Sequence, residues 1–203
     1  RVDAALVPVI AYQEIDGIRL IPEVCVGARE RVRSVCLVTR GIELSDVHSV
    51  ALDTSSRTSV VLTKIIFREF FGFEPAWKDA APEIDAMLRQ ADAALLIGDP
   101  ALRLSALPVG SEYRTFDLAE LWCRHTGLGF VFAMWMTRRE NISIDFAAAR
   151  DEGLGHLDEI IAINGDSKCM VSRIAEKTYM GKDIRHIAVF EKNSKQSALD
   201  IIK

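Results

Sequence analysis

Val50–Leu62, VALDTSSRTSVVL, runs from the end of an apolar strand through a hydroxyl-rich corner into the first turns of an apolar helix. The strand is Val47–Leu52 (VHSVAL), and the helix extends from Thr58 to Phe71 (TSVVLTKIIFREFF). Its polar positions are Thr63, Lys64, Arg68 and Glu69, and Gly72 stops it. A helix apolar on most sides is a buried one. The corner, Asp53–Ser59 (DTSSRTS), sets hydroxyl and carboxyl side chains and one arginine where a helix exposes its first N–H groups and the positive end of its dipole. Two readings of it stand. The corner holds a small carboxylate, with Ser56, Arg57, Thr58 and Ser59 as the candidate binding residues. Alternatively, one of Thr54, Ser55, Ser56 or Thr58 is a plain N-cap worth about 1 kcal/mol and the others are solvated.

Working outward, Arg33–Thr39 (RSVCLVT) reads as a strand on the N-terminal side. On the other side come a short segment at Pro75–Lys78, a helix at Pro82–Gln90 and the strand Asp92–Ile97 (DAALLI). That strand ends in Gly98-Asp99-Pro100, where Asp99 can cap a helix beginning at Pro100 and running through Ala101–Leu107. Pro108–Thr115 reads as a loop, Phe116–His125 as a helix and Gly129–Met136 (GFVFAMWM) as a long apolar strand. Ile144–Gly153, Leu154–Ile163 and Cys169–Tyr179 have helical spacing, and Asp183–Lys203 carries no strong cap. Alternating strands and helices predict an α/β fold with mostly parallel sheets, whose ligands sit beyond the strand C-termini. Gly98 and Asp99 then either line the same cleft as Asp53–Ser59, glycine allowing close approach, or form only a turn and a cap. The long strands around Ser34 and Phe132 flank this block as two crossover strands of a hinge would.

Composition narrows the function classes. The 203 residues include 25 Lys and Arg against 29 Asp and Glu, for a net charge of −4, and the basic residues are scattered. No electrostatic footprint for nucleic acid exists, so an anionic ligand has to be drawn by helix termini and single arginines. No apolar run approaches the roughly 20 residues that cross a bilayer, so no membrane partner is expected. Cys25, Cys36, Cys123 and Cys169 are isolated, with no CxxC and no His/Cys cluster at metal spacing, which predicts no metal site and a reducing cytoplasm. His48, His125, His156 and His186 form no motif and take no catalytic role, while Trp122, Phe130, Phe132 and Trp135 read as core. The chain starts without Met, and Val2–Ile10 (VDAALVPVI) already reads as the interior of an element, so residues upstream are expected.

Taken together, VALDTSSRTSVVL (Val50–Leu62), DAALLIGDPALR (Asp92–Arg103) and DLAELWCRHTGLGFVFAMW (Asp117–Trp135) closely resemble, in order and spacing, the MqnA group of menaquinone-biosynthesis proteins. Arg1–Val38, with VRSV at Val32–Val35, fits the region that precedes these segments, so the resemblance spans about the first 160 residues. It implies a two-lobed, type II periplasmic-binding-protein-like fold. Residues 1–36 would be the remainder of lobe I with the first crossover strand, 37–130 lobe II, and 131–203 the second crossover strand with the C-terminal helices of lobe I. The implied activity is chorismate dehydratase of the futalosine route, a hydro-lyase without a cofactor, acting on a small dicarboxylate. By position, Ser34 matches an active-site serine, and Thr58 with Ser59 match helix-start residues that hold a substrate carboxylate. The family's N-terminal motif with an active-site Asn is absent from these residues, His125 and Gly129 stand where an aromatic residue and Pro are usual, and Gly165–Lys203 departs from the usual C-terminal helices. These 203 residues alone are therefore expected to be inactive. The competing readings are a solute-binding protein for an organic anion and the later-acting MqnD enzyme, 1,4-dihydroxy-6-naphthoate synthase.

Overall fold

The computed structural model describes residues 2–105, 107, 111–156, 158–159, 162, 178–179 and 187–188. In chain order the elements are β1 (Ala4–Pro8), α1 (Ala11–Glu14), β2 (Arg19–Ala28), β3 (Val35–Thr39), β4 (Ser49–Asp53), α2 (Arg57–Ile65), a π-helical segment (Ile66–Phe71), β5 (Ala76–Ala80), α3 (Ile84–Gln90), β6 (Ala93–Ile97), α4 (Gly98–Ser105), β7 (Arg114–Asp117), α5 (Leu118–Thr126), β8 (Gly129–Thr137), α6 (Phe146–Gly155), β9 (Thr178–Tyr179) and β10 (Ile187–Ala188). They fall into two compact units, Arg1–Arg29 with Leu128–Lys203, and Glu30–Gly127. The strands expected to cross between lobes each lie inside one unit. β3 is paired along its length with β6 and belongs to the second unit, and β8 belongs to the first, so the divisions fall after Arg29 and Gly127 rather than after residues 36 and 130.

The second unit is a sheet in the order β5-β4-β6-β3-β7. β4 runs parallel to β5 and β6, whereas β3 is antiparallel to β6 and β7. The expected mostly parallel sheet is therefore a mixed one. The cause is the short link between β3 and β4: Thr39 and Val50 both sit opposite Ala93, so the chain crosses the end of β6 and returns along its other edge. Parallel pairing needs a longer crossover, which the helical segments after β4 and β5 supply. Leu37, Val38, Ala51, Leu52, Leu95 and Leu96 are all buried, as neighbouring residues of strands covered on both faces must be. Met87 and Ala101 close one face, together with Cys36 and Val38.

Several boundaries moved for local reasons. α2 gives way to the π-helical segment, around which the rings of Phe67, Phe71, Phe73 and Trp77 cluster, and the segment ends at Gly72 in the left-handed region (φ 78°). Gly98 has φ 64°, and it turns β6 directly into α4, so Asp99 lies in the first turn instead of capping it, and Pro100 is the third residue. The expected loop and helix start at Pro108–Phe116 instead include β7, and Asp117 caps α5 through Ala119 and Glu120.

At the start of β4, Asp92 Oδ2 accepts hydrogen bonds from the amides of His48 (3.0 Å) and Ser49 (2.9 Å) and from the Ser49 hydroxyl (3.0 Å). Burial pushes this carboxyl upward, but those donors outweigh it and hold it below the ordinary carboxylate range. A folded pKa below the unfolded one gives stability that is present above the unfolded pKa and is lost as pH falls through the folded value. Asp92→Ala is thus expected to cost about 1 kcal/mol at neutral pH. Denaturant titrations should show that difference shrinking as the pH falls into the acid range.

In the first unit β8 pairs antiparallel with β1 and β2, β2 pairs antiparallel with β9, and β10 runs parallel to β8. This sheet too is not mostly parallel. Gly27 and Gly129 let β2 and β8 approach: a Cβ on Gly27 would lie 2.9 Å from the Phe130 carbonyl oxygen, and one on Gly129 2.9 Å from that of Ala28. Both neighbours are backbone and cannot swing aside, so Gly129→Ala is expected to cost about 1–3 kcal/mol in unfolding free energy. An unchanged denaturation midpoint would show that the strands have slack. β2 is interrupted between Leu20 and Cys25, Glu23 there has φ 62°, and the buried Arg150 guanidinium of α6 donates to the Glu23 carbonyl. Asp145 caps α6 by accepting from the Ala148 amide (2.9 Å). Of the helix expected at Leu154–Ile163, Leu154 and Gly155 instead end α6, and Asp158, Glu159 and Ala162 are helical; most of that at Cys169–Tyr179 and of the tail from Asp183 lies outside the described residues, in which Thr178–Tyr179 and Ile187–Ala188 are strands.

Candidate active site

One edge of the second unit's sheet gathers the C-terminal ends of β4, β6 and β7 and the beginning of β3, with Val35 opposite Ile97 and Cys36 opposite Asp117. α2, α4 and α5 all start from this edge. Their N-terminal amides and dipoles bring partial positive charge to the place where an α/β sheet receives its ligand. Ser34, Ser56, Arg57, Thr58, Ser59, Gly98 and Asp99 all belong to the segments that end or begin there.

The DTSSRTS corner is tied by its own side chains. Asp53 is buried and its Oδ1 accepts from the Ser55 amide (3.0 Å) and hydroxyl (2.6 Å), an Asx turn that bends the chain out of β4. Ser56 is the N-cap of α2: its Oγ accepts from the Ser59 amide (3.3 Å) and donates to Ser59 Oγ (2.7 Å). The plain capping reading is thus realised by Ser56. Thr58 and Ser59 are each only 1% exposed, and Arg57 is exposed beside them. Gly98 and Asp99 are also exposed. A carboxylate such as Asp99 repels an anion but can accept a hydrogen bond from a ligand hydroxyl.

Ser34 is held by its backbone. Its amide donates to the Val32 carbonyl (2.7 Å) and its carbonyl accepts from the Gly98 amide (2.7 Å). The preceding Arg33 sits at φ 61°, a conformation that side chains other than glycine adopt at a cost. The half-buried Ser34 hydroxyl makes no hydrogen bond among the described residues, in contrast to those of Ser55, Ser56 and Ser59.

The residue that sequence reasoning missed is Asp117. It is 4% exposed and accepts from the amides of Val32 (3.0 Å), Arg33 (2.6 Å), Ala119 (2.9 Å) and Glu120 (3.1 Å). Burial pushes its carboxyl above the ordinary range, against the pull of those amides and of Arg31. Asp117 followed three residues later by Glu120 is a capping-box spacing, the signal that locates the start of α5. His125 stacks on Phe70, with ring centroids 4.3 Å apart, and His48 precedes β4 at the opposite edge of the sheet. Trp122, Phe130 and Phe132 are buried core side chains. Among the described residues no group of three or more His, Cys, Asp or Glu is placed to hold a metal ion, and no helix is long and apolar enough to cross a membrane.

A family profile described as menaquinone biosynthesis matches residues 1–200. The chain belongs to the menaquinone-biosynthesis family. A family relative, the chorismate dehydratase of Thermus thermophilus, is 36% identical over 163 residues, which cover 71% of this chain and 59% of the relative. The chain thus spans less than two thirds of that relative's length. Among solved structures, a protein from Archaeoglobus fulgidus matches with a TM-score of 0.55 at 16% identity, over 98% of this chain and 75% of that one. The zinc-bound ligand-binding component of an ABC-type import system from Staphylococcus aureus matches with a TM-score of 0.52 at 14% identity, over 90% and 68%. At such identities these two neighbours speak for the fold alone. The α/β, periplasmic-binding-protein-like class expected from the sequence is the class of this family member.

Proposed function

We propose that this member of the family is a chorismate dehydratase of the futalosine route, a hydro-lyase that converts chorismate to 3-[(1-carboxyvinyl)oxy]benzoate. The observation that carries the reading is the 36% identity to the Thermus enzyme over 71% of this chain. The reaction removes the ring hydroxyl and the proton on the neighbouring ring carbon, and the two leave together as water. Aromatisation drives it, so the protein has to fix the carboxylates, exclude water and assist the leaving hydroxyl. Ser34 supplies the hydrogen bond at the reacting end, which its uncommitted hydroxyl supports. Ser56, Arg57, Thr58 and Ser59, with the first turn of α2, anchor a carboxylate, and Gly98 and Asp99 line the neighbouring turn. Asp117 already accepts from four amides, and we assign the proton to a weak base, the substrate's own enolpyruvyl carboxylate. We place the enzyme in the cytoplasm, in keeping with Cys25, Cys36 and Cys123, which form no disulfide among the described residues.

Full-length protein incubated with chorismate, followed by mass spectrometry, tests the reading. A product lighter by one water is expected. Saturable binding of chorismate that returns it unchanged would instead favour a solute-binding protein.

A further inference from the structure

The geometry points to Asp117 as the positioning residue that sets Ser34: its carboxylate joins the Val32–Arg33 turn to the start of α5 and so fixes where the Ser34 hydroxyl stands. This rests on the dehydratase reading of the same site. One carboxylate serves two jobs. Oδ1 accepts from Ala119 (2.9 Å) and Glu120 (3.1 Å) of the helix and, at 3.2 Å, from the Val32 amide, while Oδ2 faces the turn alone, accepting from Arg33 at 2.6 Å and from Val32 at 3.0 Å. The turn needs such a hold because Arg33 is left-handed without being glycine. A conformation of that kind persists only where its surroundings over-determine it. The Arg31–Glu120 ion pair (3.0 Å) joins the same two segments, but Arg31 is half exposed, so solvent weakens the pair and the buried carboxylate is the stronger tie. On its other side Ser34 is tied to the first residue of α4 by the Gly98 amide. The hydroxyl is thus suspended between the starts of two helices, and Asp117 is the side-chain link. This is a role beyond capping, because a cap alone has no use for Oδ2.

Asp117→Asn separates the two jobs. With its oxygen toward α5 the asparagine keeps the cap, but it turns an NH2 against the Arg33 amide, and the turn keeps only the longer bond from Val32 to that oxygen. In the full-length enzyme kcat for chorismate is expected to fall roughly 10- to 100-fold with KM changed less than about 3-fold, since a small misplacement of a reacting group acts on the transition state. Combining Asp117→Asn with Ser34→Ala should cost little beyond Ser34→Ala alone, because the two act as one unit. Arg33→Gly in the Asp117→Asn background should recover part of kcat, since glycine adopts the left-handed turn without help. Amide hydrogen exchange at residues 32–34 should quicken in Asp117→Asn while that of α5 stays near wild type. A folded Asp117→Asn enzyme with wild-type kcat, losses that multiply in the double variant, or a glycine that recovers nothing would overturn the proposal. Wild-type protein that leaves chorismate intact would overturn the functional reading instead. The exchange measurement then still decides whether Asp117 fixes the turn, and unaltered exchange there would overturn that as well.

Discussion

Ser34→Ala in the full-length enzyme is expected to lower kcat about 10²- to 10³-fold while chorismate affinity changes only a few-fold, the pattern of a hydrogen bond made in the transition state. The structure makes the substitution a clean one. Both backbone groups of Ser34 are engaged, with the Val32 carbonyl and the Gly98 amide, and neither bond involves the side chain. The hydroxyl leaves no partner stranded among the described residues, so stability should stay within about 0.5 kcal/mol of wild type. Steady-state kinetics beside a binding isotherm separates the two effects. Unchanged turnover removes Ser34 from the chemistry, and an equal loss in binding and turnover reassigns it to anchoring.

The second large effect is one of stability. Phe67→Ala should cost about 3–5 kcal/mol, read from denaturant unfolding. Phe67 is fully buried and its ring lies 5.5 Å from those of Phe71 and Phe73 and 5.8 Å from that of Trp77. Truncation opens a cavity among rings carried by the π-helical segment, the loop after it and β5, three pieces that cannot all collapse inward. The same segment continues α2, whose other end is the DTSSRTS corner, so a weakened chorismate affinity should accompany the lost stability. A cost under about 1 kcal/mol would mean that the aromatic cluster repacks freely.

The corner was legible because hydroxyl residues between an apolar strand and an apolar helix have few other uses, and Ser56 caps α2 within the predicted run. What the hydroxyls of that run do was not legible. The Ser56 hydroxyl donates to that of Ser59, a pairing that depends on the pitch of the first turn. Ser34 stood out only through the family resemblance; nothing in RSVCLVT distinguishes it, since its setting is made by the distant residues Gly98 and Asp117. β7 escaped because Arg114–Asp117 (RTFD) has one apolar residue and borrows its order from β3. The π-helical segment left no trace because its residues stay apolar whichever backbone turn carries them. Strand direction failed for a related reason: alternation of strands and helices fixes the parallel pairs joined by helices, but β3 reaches β4 by a short link, which sets it against β6.

On the proposed function, Ser34 and the DTSSRTS corner, at the same end of one sheet, belong to an enzyme that eliminates water from chorismate across two neighbouring ring carbons. Chorismate deuterated at the ring carbon that bears the enolpyruvyl ether, incubated with the full-length protein and analysed by mass spectrometry, tests this directly. The expected result is an aromatic product that has lost both the ring hydroxyl and the deuterium. Chorismate recovered intact, or a product that keeps the label, would contradict it.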